Sequence, residues 1–272
     1  MTLRSDSINS DQLHEMLATA ERAARAGGET LIAWSGKFSV REKGSADLVT
    51  DADIASQRAI ERLIRESYPG HDFLGEEQSY ALAIDLSAFC WVVDPLDVTT
   101  NYAHGYPCFA VSVALVVDGQ PRVGVVYDPV ADNCYAAALG QGAWLNGQSM
   151  SVSSTATLAQ SLVAVSLPPQ VKPESPDLVA FCRVAERCQA IRRTGSCALN
   201  LAHVATGSLD AFWAHHIHAW DVAAGVLLVS EAGGVVTDVN GGPFDVWRAH
   251  FAVASQSALH FELLPLVMRG AK

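Results

Sequence analysis

The sequence lacks any cluster of basic residues. Its 272 residues carry 18 Lys and Arg against 29 Asp and Glu, which gives a net charge of −11. Nucleic acids and anionic membranes are bound by positively charged surfaces. We therefore expect no nucleic acid and no membrane among the partners of this chain.

Long apolar runs and paired cysteines are also missing. The longest apolar run, Phe109–Val117, has nine residues and is interrupted by Ser112, whereas a membrane helix needs about 20. The first ten residues are polar and hold no stretch typical of a secretion signal, so we expect a cytoplasmic protein. The six cysteines form no CxxC pair and are expected to be buried thiols rather than zinc ligands or disulfides.

What the sequence does have is an excess of acid in one segment. Residues 47–97 hold eleven Asp and Glu but only three Arg, a net charge of −8 out of −11 for the whole chain. Carboxylates repel one another in a folded region unless water solvates them or a cation lies between them. The segment is therefore either a solvated acidic face or part of a cation site.

Apolar spacing predicts two halves, 1–167 and 168–272, that form layers of one sandwich. The first half reads as α+β, with Ser10 capping the first helix and with an antiparallel sheet that contains a hairpin turn at Asp118-Gly119. The second half follows a proline-rich connection and alternates helices with strands, as α/β proteins do. Helices are expected at 11–34, 54–67, 178–187, 198–206 and 222–231, and strands at 91–93, 110–117, 122–127, 133–137, 162–166, 190–193, 209–213 and 235–238.

The most specific motif is a strand that runs directly into two aspartates. Asp94 and Asp97 flank a turn set by Pro95, which can aim two carboxylates and the carbonyl of Leu96 at one point. Mg²⁺ requires such oxygen ligands. A plain turn at Asp94 and a helix cap at Asp97 explain the same residues equally well.

Three further acidic motifs lie elsewhere in the chain. The segment Gly75–Glu77 follows a short apolar stretch, and Asp221 stands at the start of an apolar helix. The segment DLVTDAD at 47–53 precedes the second helix, whose N-terminal dipole favours anions. Each motif by itself is typical of a turn or a cap.

Taken together, the motifs resemble those of the inositol monophosphatase family, in the superfamily of Mg-dependent, lithium-sensitive phosphatases. The resemblance rests on DLVTDAD, GEE, DPLDVTTN and WDVAAG with the following EAGG, in this order, and extends to Gly241–Phe244. It implies a layered αβαβα sandwich of the inositol monophosphatase and fructose-1,6-bisphosphatase type. It also implies a homodimeric hydrolase that lithium inhibits.

The resemblance also implies roles for individual residues. Glu76, Asp94 and the Leu96 carbonyl would hold one Mg²⁺. Asp94, Asp97 and Asp221 would hold a second. The implied catalytic residues are Asp53, Thr99 and Glu76, of which Asp53 and the Thr99 hydroxyl orient or deprotonate the attacking water. The implied substrate contacts are Asp97, Val98, Thr99, Gly195, Ser196, Cys197, Ala214 and Asp221. The expected reaction is in-line attack of metal-activated water on a small polyol or sugar phosphate such as inositol 1-phosphate, without a phosphoenzyme.

The chain departs from the family pattern at several positions. Val98 stands where the family has glycine. If the backbone there needs positive φ, a β-branched residue costs about 1 to 3 kcal/mol of strain, and if it does not, Val98 still donates its amide. Because its side chain would crowd the phosphate in either case, we expect slowed rather than abolished turnover. Ala214 stands where inositol-selective members carry a glutamate that binds sugar hydroxyls. We therefore expect a changed alcohol pocket near His215 or His216. Cys197 replaces a more usual alanine.

Other functions stay open at this point. A haloacid-dehalogenase-type phosphatase is disfavoured because the aspartates are spaced D-x-x-D rather than D-x-D. A zinc site is disfavoured because His216 and His218 share one side of a strand while His215 faces away. The alternatives are a weakened or non-enzymatic dimer with a binding or regulatory role, or a phosphatase for histidinol phosphate, fructose 1,6-bisphosphate or a nucleotide 3′-phosphate. A bisphosphate nucleotide would need a basic pocket, for which Arg192 and Arg193 are the suggestive pair.

Overall fold

The computed structural model describes residues 8–44, 47–77, 89–168, 171–215 and 217–268. Its helices are α1 (Ser10–Trp34), α2 (Asp51–Ser67), α3 (Thr99–Ala103), α4 (Pro176–Ala185), α5 (Cys197–Ala205), α6 (Ala219–Glu231) and α7 (Ser257–Val267). Its strands are β1 (Val40–Gly44), β2 (Asp47–Thr50), β3 (Asp72–Gly75), β4 (Phe89–Asp97), β5 (Ala110–Val117), β6 (Gln120–Asp128), β7 (Asn133–Ala138), β8 (Gly142–Leu145), β9 (Gln148–Ser149), β10 (Leu162–Ser166), β11 (Ala190–Arg192), β12 (Ala211–Ala214), β13 (Val235–Thr237) and β14 (Phe251–Ala254).

The first two helices begin where polar side chains cap them. The prediction of Ser10 as the cap of α1 is wrong, because the side chain of Asn9 accepts the amide of Gln12 at 2.9 Å. The side chain of Gln12 in turn accepts the amide of Asn9 at 2.9 Å, and this reciprocal pair satisfies two amides that a helix start leaves open. Thr50 caps α2 in the same manner, so this helix begins earlier than expected.

Two mixed sheets form the strand layers of the described chain. The larger has the order β3-β4-β5-β6-β7-β8-β9, and the smaller has the order β11-β10-β12-β14-β13. The expectation of an antiparallel sheet in the first half is wrong at one edge, where β3 runs parallel to β4. The hairpin between β5 and β6 is confirmed, since Asp118 and Gly119 join the strands with φ of 50° and 77°, as a two-residue primed turn requires.

Alternating side chains place each sheet between two helix layers. In β4, Trp91 faces the core beneath α1 and α2, while Val92 faces the middle core that contains α5 and α6. In β12, Phe212 faces the same middle core, and Trp213 faces the outer core beneath α4 and α7. Because strand side chains alternate with a period of two, this pattern produces the layer order αβαβα. The prediction of a layered αβαβα sandwich is therefore confirmed.

The middle core joins the two sheets. Strand β10 precedes residue 168 but pairs with β11 and β12, which follow it, and α5 packs against strands of both sheets. The division into 1–167 and 168–272 stays a prediction. No helix of the described residues has the length and the apolar character that crossing a membrane requires.

Candidate active site

The end of β4 positions two buried aspartates. The pairing between β4 and β5 is regular up to Asp94 and resumes at Asp97, with an irregularity between them. Asp94 turns back on this bulge, and its carboxylate accepts the amide of Leu96 at 3.0 Å. Bulges of this type redirect side chains next to functional sites. Here the bulge allows both carboxylates to stay at the same end of the strand.

Asp221 joins these two aspartates from a distant part of the sequence. It lies in the first turn of α6, where its carboxylate accepts the amide of His218 at 2.8 Å. Carboxylate oxygens of Asp94, Asp97 and Asp221 all lie within 4.8 Å of one another. This is a set of hard oxygen donors of the kind that Mg²⁺ and Ca²⁺ prefer, so the residues fit a divalent cation.

The pKa values of the three aspartates also indicate a site for positive charge. Burial, followed by the charges of Glu76, Asp97 and Asp221, raises the pKa of Asp94 well above its usual range. Burial raises the pKa of Asp97 to about 6, although its hydrogen bonds oppose the shift. Burial, then Asp97 and Glu76, also raises the pKa of Asp221 well above its usual range. A cation among carboxylates held this close stabilises their charged form.

Glu76 lines the same cleft as the three aspartates. The turn that carries it is held by α2, since the amide of Glu77 donates to the side chain of Gln57 at 3.0 Å. A Cβ atom at Gly75 would lie 2.4 Å from that side chain. A larger residue at Gly75 would therefore displace the Gln57 amide that accepts the amide of Glu77.

Asp53 and Thr99 form a buried pair beside the cluster. The hydroxyl of Thr99 donates to Asp53 Oδ1 at 2.8 Å, while the amide of Thr50 donates to Asp53 Oδ2 at 2.8 Å. Burial raises the pKa of Asp53, although the hydrogen bonds from Thr50 and Thr99 oppose the shift. Thr99 lines the cleft. The pair can therefore pass a proton from the cleft to a carboxylate behind its wall.

Val98 adopts the left-handed backbone conformation, in which a β-branched residue is strained. Its φ is 73° and its ψ is 66°, and it caps the short helix α3. Across the cleft, Gly195 has φ of 104°, and a Cβ atom there would lie 3.2 Å from Val98 Cγ1. The side chain of Val98 therefore fills the space beside Gly195.

The segment around Ser196 binds Asp97 rather than the open cleft. The hydroxyl of Ser196 donates to Asp97 Oδ2 at 2.5 Å, and the amide of Ala198 donates to the same oxygen at 2.7 Å. Asn101 connects this segment to α3, because its side-chain amide donates to the carbonyl of Thr194 at 3.0 Å. The N-terminus of α5 thus orients the Asp97 carboxylate.

A cleft of about 380 Å³ brings most of the predicted site residues together. Its walls include Glu76, Asp94, Leu96, Asp97, Val98, Thr99, Gly195, Cys197, His215, His218 and Asp221. Of the other predicted residues, Asp53, Ser196 and Ala214 are buried and do not belong to the described lining. Ala214 packs in the middle core. His216 lies outside the described residues, and Arg192 and Arg193 are exposed away from the cleft.

Two supporting contacts were missed by sequence reasoning. The hydroxyl of Ser56 donates to the carbonyl of Pro95 at 2.9 Å and so attaches α2 to the turn between the aspartates. His215 and Asp177 form a buried pair at 2.8 Å between Nδ1 and Oδ1. Neither contact has a local sequence signal, because each joins residues far apart in the chain.

Known proteins resemble this chain over most of its length. An inositol-1-monophosphatase from Synechocystis sp. is 39% identical over 245 residues, which cover 89% of this chain and 85% of the relative. A protein named Nus factor SuhB from Escherichia coli is 41% identical over 235 residues, covering 85% of this chain and 87% of the relative. The crystal structure of extragenic suppressor protein suhB from Bartonella henselae superposes with a TM-score of 0.87 at 35% identity, covering 94% of this chain and 99% of that one.

The layered sandwich and its acidic cleft define the class of protein, a phosphatase of the αβαβα type. The family model for the inositol monophosphatase family matches residues 12–270. The chain belongs to the inositol monophosphatase family, and the resemblance found in its motifs is confirmed.

Proposed function

We propose that the chain hydrolyses phosphate monoesters of small molecules with the help of Mg²⁺. The observation that carries the proposal is the meeting of Asp94, Asp97 and Asp221, whose carboxylate oxygens lie within 4.8 Å of one another. Glu76 lines the same cleft. Phosphate monoesters are dianions that resist hydrolysis. A site that binds them therefore needs positive charge, and the acidic residues supply it indirectly by binding cations.

The proposed ligand sets are those that the family resemblance implies, and all of their residues line the cleft. We infer that Glu76, Asp94 and the Leu96 carbonyl hold one Mg²⁺ and that Asp94, Asp97 and Asp221 hold another. When bound, such ions neutralise the phosphoryl oxygens and lower the pKa of a coordinated water. Burial and the nearby acidic side chains raise the pKa values of Asp94 and Asp221. A bound cation would offset this repulsion, which supports cation binding at the cluster.

Thr99 and Asp53 are proposed to handle the proton of the attacking water. The Thr99 hydroxyl donates to Asp53 Oδ1, which leaves the lone pairs of its oxygen to accept a hydrogen bond from water in the cleft. As the water oxygen forms its bond to phosphorus, its proton passes through Thr99 to Asp53. The ester P–O bond breaks in line, the departing alcohol oxygen takes a proton from a water molecule in the cleft, and Asp53 returns its proton through Thr99 to the resulting hydroxide. Ester and water thus yield alcohol and inorganic phosphate.

Backbone amides are proposed to receive the phosphoryl group. The chain reverses direction at Val98, and α3 begins directly after it at Thr99. The family resemblance implies that the amides after Asp97 bind the phosphate, and amides at the start of a helical turn favour anions. Gly195, on the opposite wall, allows the close approach of the two segments because a Cβ atom there would lie 2.9 Å from Asn101 Nδ2.

The test is phosphate release from a panel of esters with and without Mg²⁺. The panel contains inositol 1-phosphate, fructose 1,6-bisphosphate, adenosine 3′,5′-bisphosphate, histidinol phosphate and ethyl phosphate. We expect Mg²⁺-dependent release from at least one ester and a loss on the order of 100-fold or more in Asp94→Asn. Asp11→Asn, at an exposed carboxylate of α1, is the matched control. Release that is independent of Mg²⁺, or that persists in Asp94→Asn, contradicts the proposal.

A second candidate function is regulation through binding, in addition to hydrolysis. The observation that favours it is the 41% identity to the Escherichia coli protein named Nus factor SuhB. We propose that such a role uses the homodimer expected of the family and does not require the cleft acids. The Asp94→Asn variant separates the two functions. A regulatory binding role that does not use the cleft acids should persist in this variant, whereas hydrolysis should be lost.

A further inference from the structure

A second cavity lies outside the catalytic cleft and differs from it in charge. It has a volume of about 440 Å³, is lined by residues of β7, β8, β11 and α5, and is called the α5 cavity below. No described residue lines both cavities. Four acids line the cleft, whereas none of the described residues that line the α5 cavity is Asp or Glu. The α5 cavity can therefore take an anion that the cleft without metal would repel.

Arg192 supplies the positive charge of the α5 cavity. It is the last residue of β11, and its guanidinium donates to the backbone carbonyl of Ile191 at 3.0 Å. Among the described residues, no carboxylate forms an ion pair with it. Arginine carries five N–H donors, so most of them remain available to a ligand. Their fork geometry matches the oxygens of a phosphate group.

Tyr135 and His203 add two further donors to the same lining. Their rings meet edge to face with centroids 6.3 Å apart. The Tyr135 hydroxyl accepts the side-chain amide of Asn133 at 3.5 Å, and no described residue accepts its own hydrogen. Within the described chain, neither ring nitrogen of His203 has a hydrogen-bond partner. A ligand that offers acceptors would satisfy both side chains together with Arg192.

One carboxylate is close enough to influence these two rings. Burial raises the pKa of Tyr135, and the charge of Asp128 raises it further. Burial lowers the pKa of His203, although Asp128 opposes the shift. Both side chains are therefore neutral donors near pH 7. The Asp128 carboxylate accepts the amides of Val130 and Ala131 at 2.9 and 3.1 Å, so its charge is stabilised within its own turn.

One short segment borders both the α5 cavity and the catalytic cleft. Thr194 lines the α5 cavity, and the next residue, Gly195, lines the cleft. The hydroxyl of Thr194 donates to Asn200 Oδ1 at 2.8 Å, which attaches the segment to α5. Ser196 follows, and its hydroxyl donates to Asp97 Oδ2 at 2.5 Å. The segment therefore connects the lining of the α5 cavity to a proposed metal ligand.

We propose that the α5 cavity is a second binding site, for small molecules that carry a phosphate group, and that its occupation strengthens cation binding in the cleft. The phosphate oxygens would accept hydrogen bonds from Arg192, Tyr135 and His203. Arg192 precedes the connecting segment and His203 follows it, so a ligand bound to both restricts the segment. The Ser196 hydroxyl that orients Asp97 is then restricted as well, and cation binding requires less ordering. The coupling to the cleft, unlike the binding itself, rests on the proposed function.

The test for binding is calorimetric titration of the full chain with inorganic phosphate in EDTA. Without a metal ion the acidic cleft repels phosphate, so the titration reports the α5 cavity. We expect saturable binding that NaCl of equal ionic strength does not reproduce. No heat of binding at millimolar phosphate overturns the proposal. Binding that disappears at protein concentrations at which two copies of the chain associate also overturns it, because a second copy then covers the cavity.

Two neighbouring arginines provide a matched pair of variants. Arg192→Gln removes the charge that lines the α5 cavity and should weaken phosphate binding at least about tenfold. Arg193→Gln removes an equal charge at an exposed residue outside the described lining and should leave binding within about twofold. Tyr135→Phe removes only a hydroxyl and should weaken binding about threefold. Equal losses in the two arginine variants, or no loss in Arg192→Gln, overturn the assignment of the site.

The effect on the cleft is measured as the Kd for Mg²⁺ with and without phosphate. We expect phosphate to lower that Kd about fivefold more in Arg193→Gln than in Arg192→Gln. Phosphate that enters the metal-loaded cleft acts alike in both variants, so this difference reports the α5 cavity. An equal effect of phosphate in the two variants overturns the coupling. Absence of Mg²⁺ binding under every condition instead overturns the proposed function and leaves the result of the titration in EDTA unaffected.

Discussion

Val98 shows how a single residue can oppose the conformation that its site requires. Its φ of 73° lies in the left-handed region, which glycine enters without cost and β-branched residues enter only under strain. The neighbouring contacts nevertheless hold it there, because Thr99 is bound to Asp53 on one side and Gly195 lies against its methyl group on the other. The strain is therefore local and is compensated by the packing of the site.

Replacement of Val98 by glycine should relieve this strain. We expect Val98→Gly to raise the free energy of unfolding by about 1 kcal/mol and to raise kcat or leave it unchanged, as measured by urea unfolding and by phosphate release. Val98→Ala is the matched control, because it removes the γ methyl groups but keeps an L residue at positive φ. If both variants raise kcat equally, crowding by the methyl groups is the cause. A large loss of kcat in Val98→Gly would contradict the interpretation of this position.

At the scale of elements, the smaller sheet and its outer helices are joined by one buried pair. His215 follows β12, Asp177 lies in the first turn of α4, and the carbonyl of Val267 ends α7. The side chains are only 1% and 6% exposed. Both ring nitrogens of His215 face an acceptor, one on each helix, so the ring bridges α4 and α7. The pair therefore fixes the cleft wall at His215 relative to two helices.

Removal of one partner of this pair should be strongly destabilising. His215→Met leaves the Asp177 carboxylate buried without its partner, which costs about 3 to 5 kcal/mol of unfolding free energy. The double variant Asp177→Leu with His215→Met removes both polar groups and should recover most of that loss. Urea unfolding of the wild type, both single variants and the double variant measures the coupling. A His215→Met variant within about 1 kcal/mol of the wild type would show that the pair contributes little.

At the scale of the whole molecule, the three cores bring distant acids to one cleft. Asp94 belongs to a strand of the larger sheet and Asp221 to a helix of the middle layer, and both line the cleft. Asp53, on a helix outside the larger sheet, reaches the cleft only through its hydrogen bond with Thr99. If the larger sheet and the middle helix layer separated, the carboxylates of Asp94 and Asp221 would move apart. Cation binding and the assembly of the sandwich should therefore stabilise each other.

Mg²⁺ should raise the stability of the whole protein. At a concentration about 100 times Kd, the expected gain in unfolding free energy is about 2.7 kcal/mol. Burial raises the pKa of Asp97 to about 6. Above that pH the Asp97 carboxylate is charged, and a bound cation offsets the cost of burying the charge. Below that pH the carboxyl is protonated and binds a cation less well. The gain should be largest above pH 6 and smaller toward pH 4. Chemical unfolding at both pH values, with NaCl of equal ionic strength as the control, measures it. An equal gain from NaCl or from Mg²⁺ added to Asp94→Asn would contradict the prediction.

Regular elements with a clear period were predictable, and short or atypical ones were not. The bounds of β5 and the hairpin turn were correct, because alternating apolar residues and an Asp-Gly pair are local signals. Strand β14 has only four residues, and α7 contains Pro265 near its end, which ordinarily argues against a helix. Pairing with β12 and β13 places β14 inside the smaller sheet, and packing against the outer face of that sheet stabilises α7.

The motifs by themselves determined the family, the two kinds of secondary structure and the acids that were candidates for a cation site, because each depends on residues adjacent in the chain. The family resemblance implied that Asp221 meets the β4 aspartates, and the structure brings these carboxylates together. The tertiary structure alone decided that Ala214 lies in the core and that the nitrogens of His215 are engaged by Asp177 and Val267. Those outcomes depend on which layers pack together, and packing between segments far apart in the chain leaves no trace in local spacing.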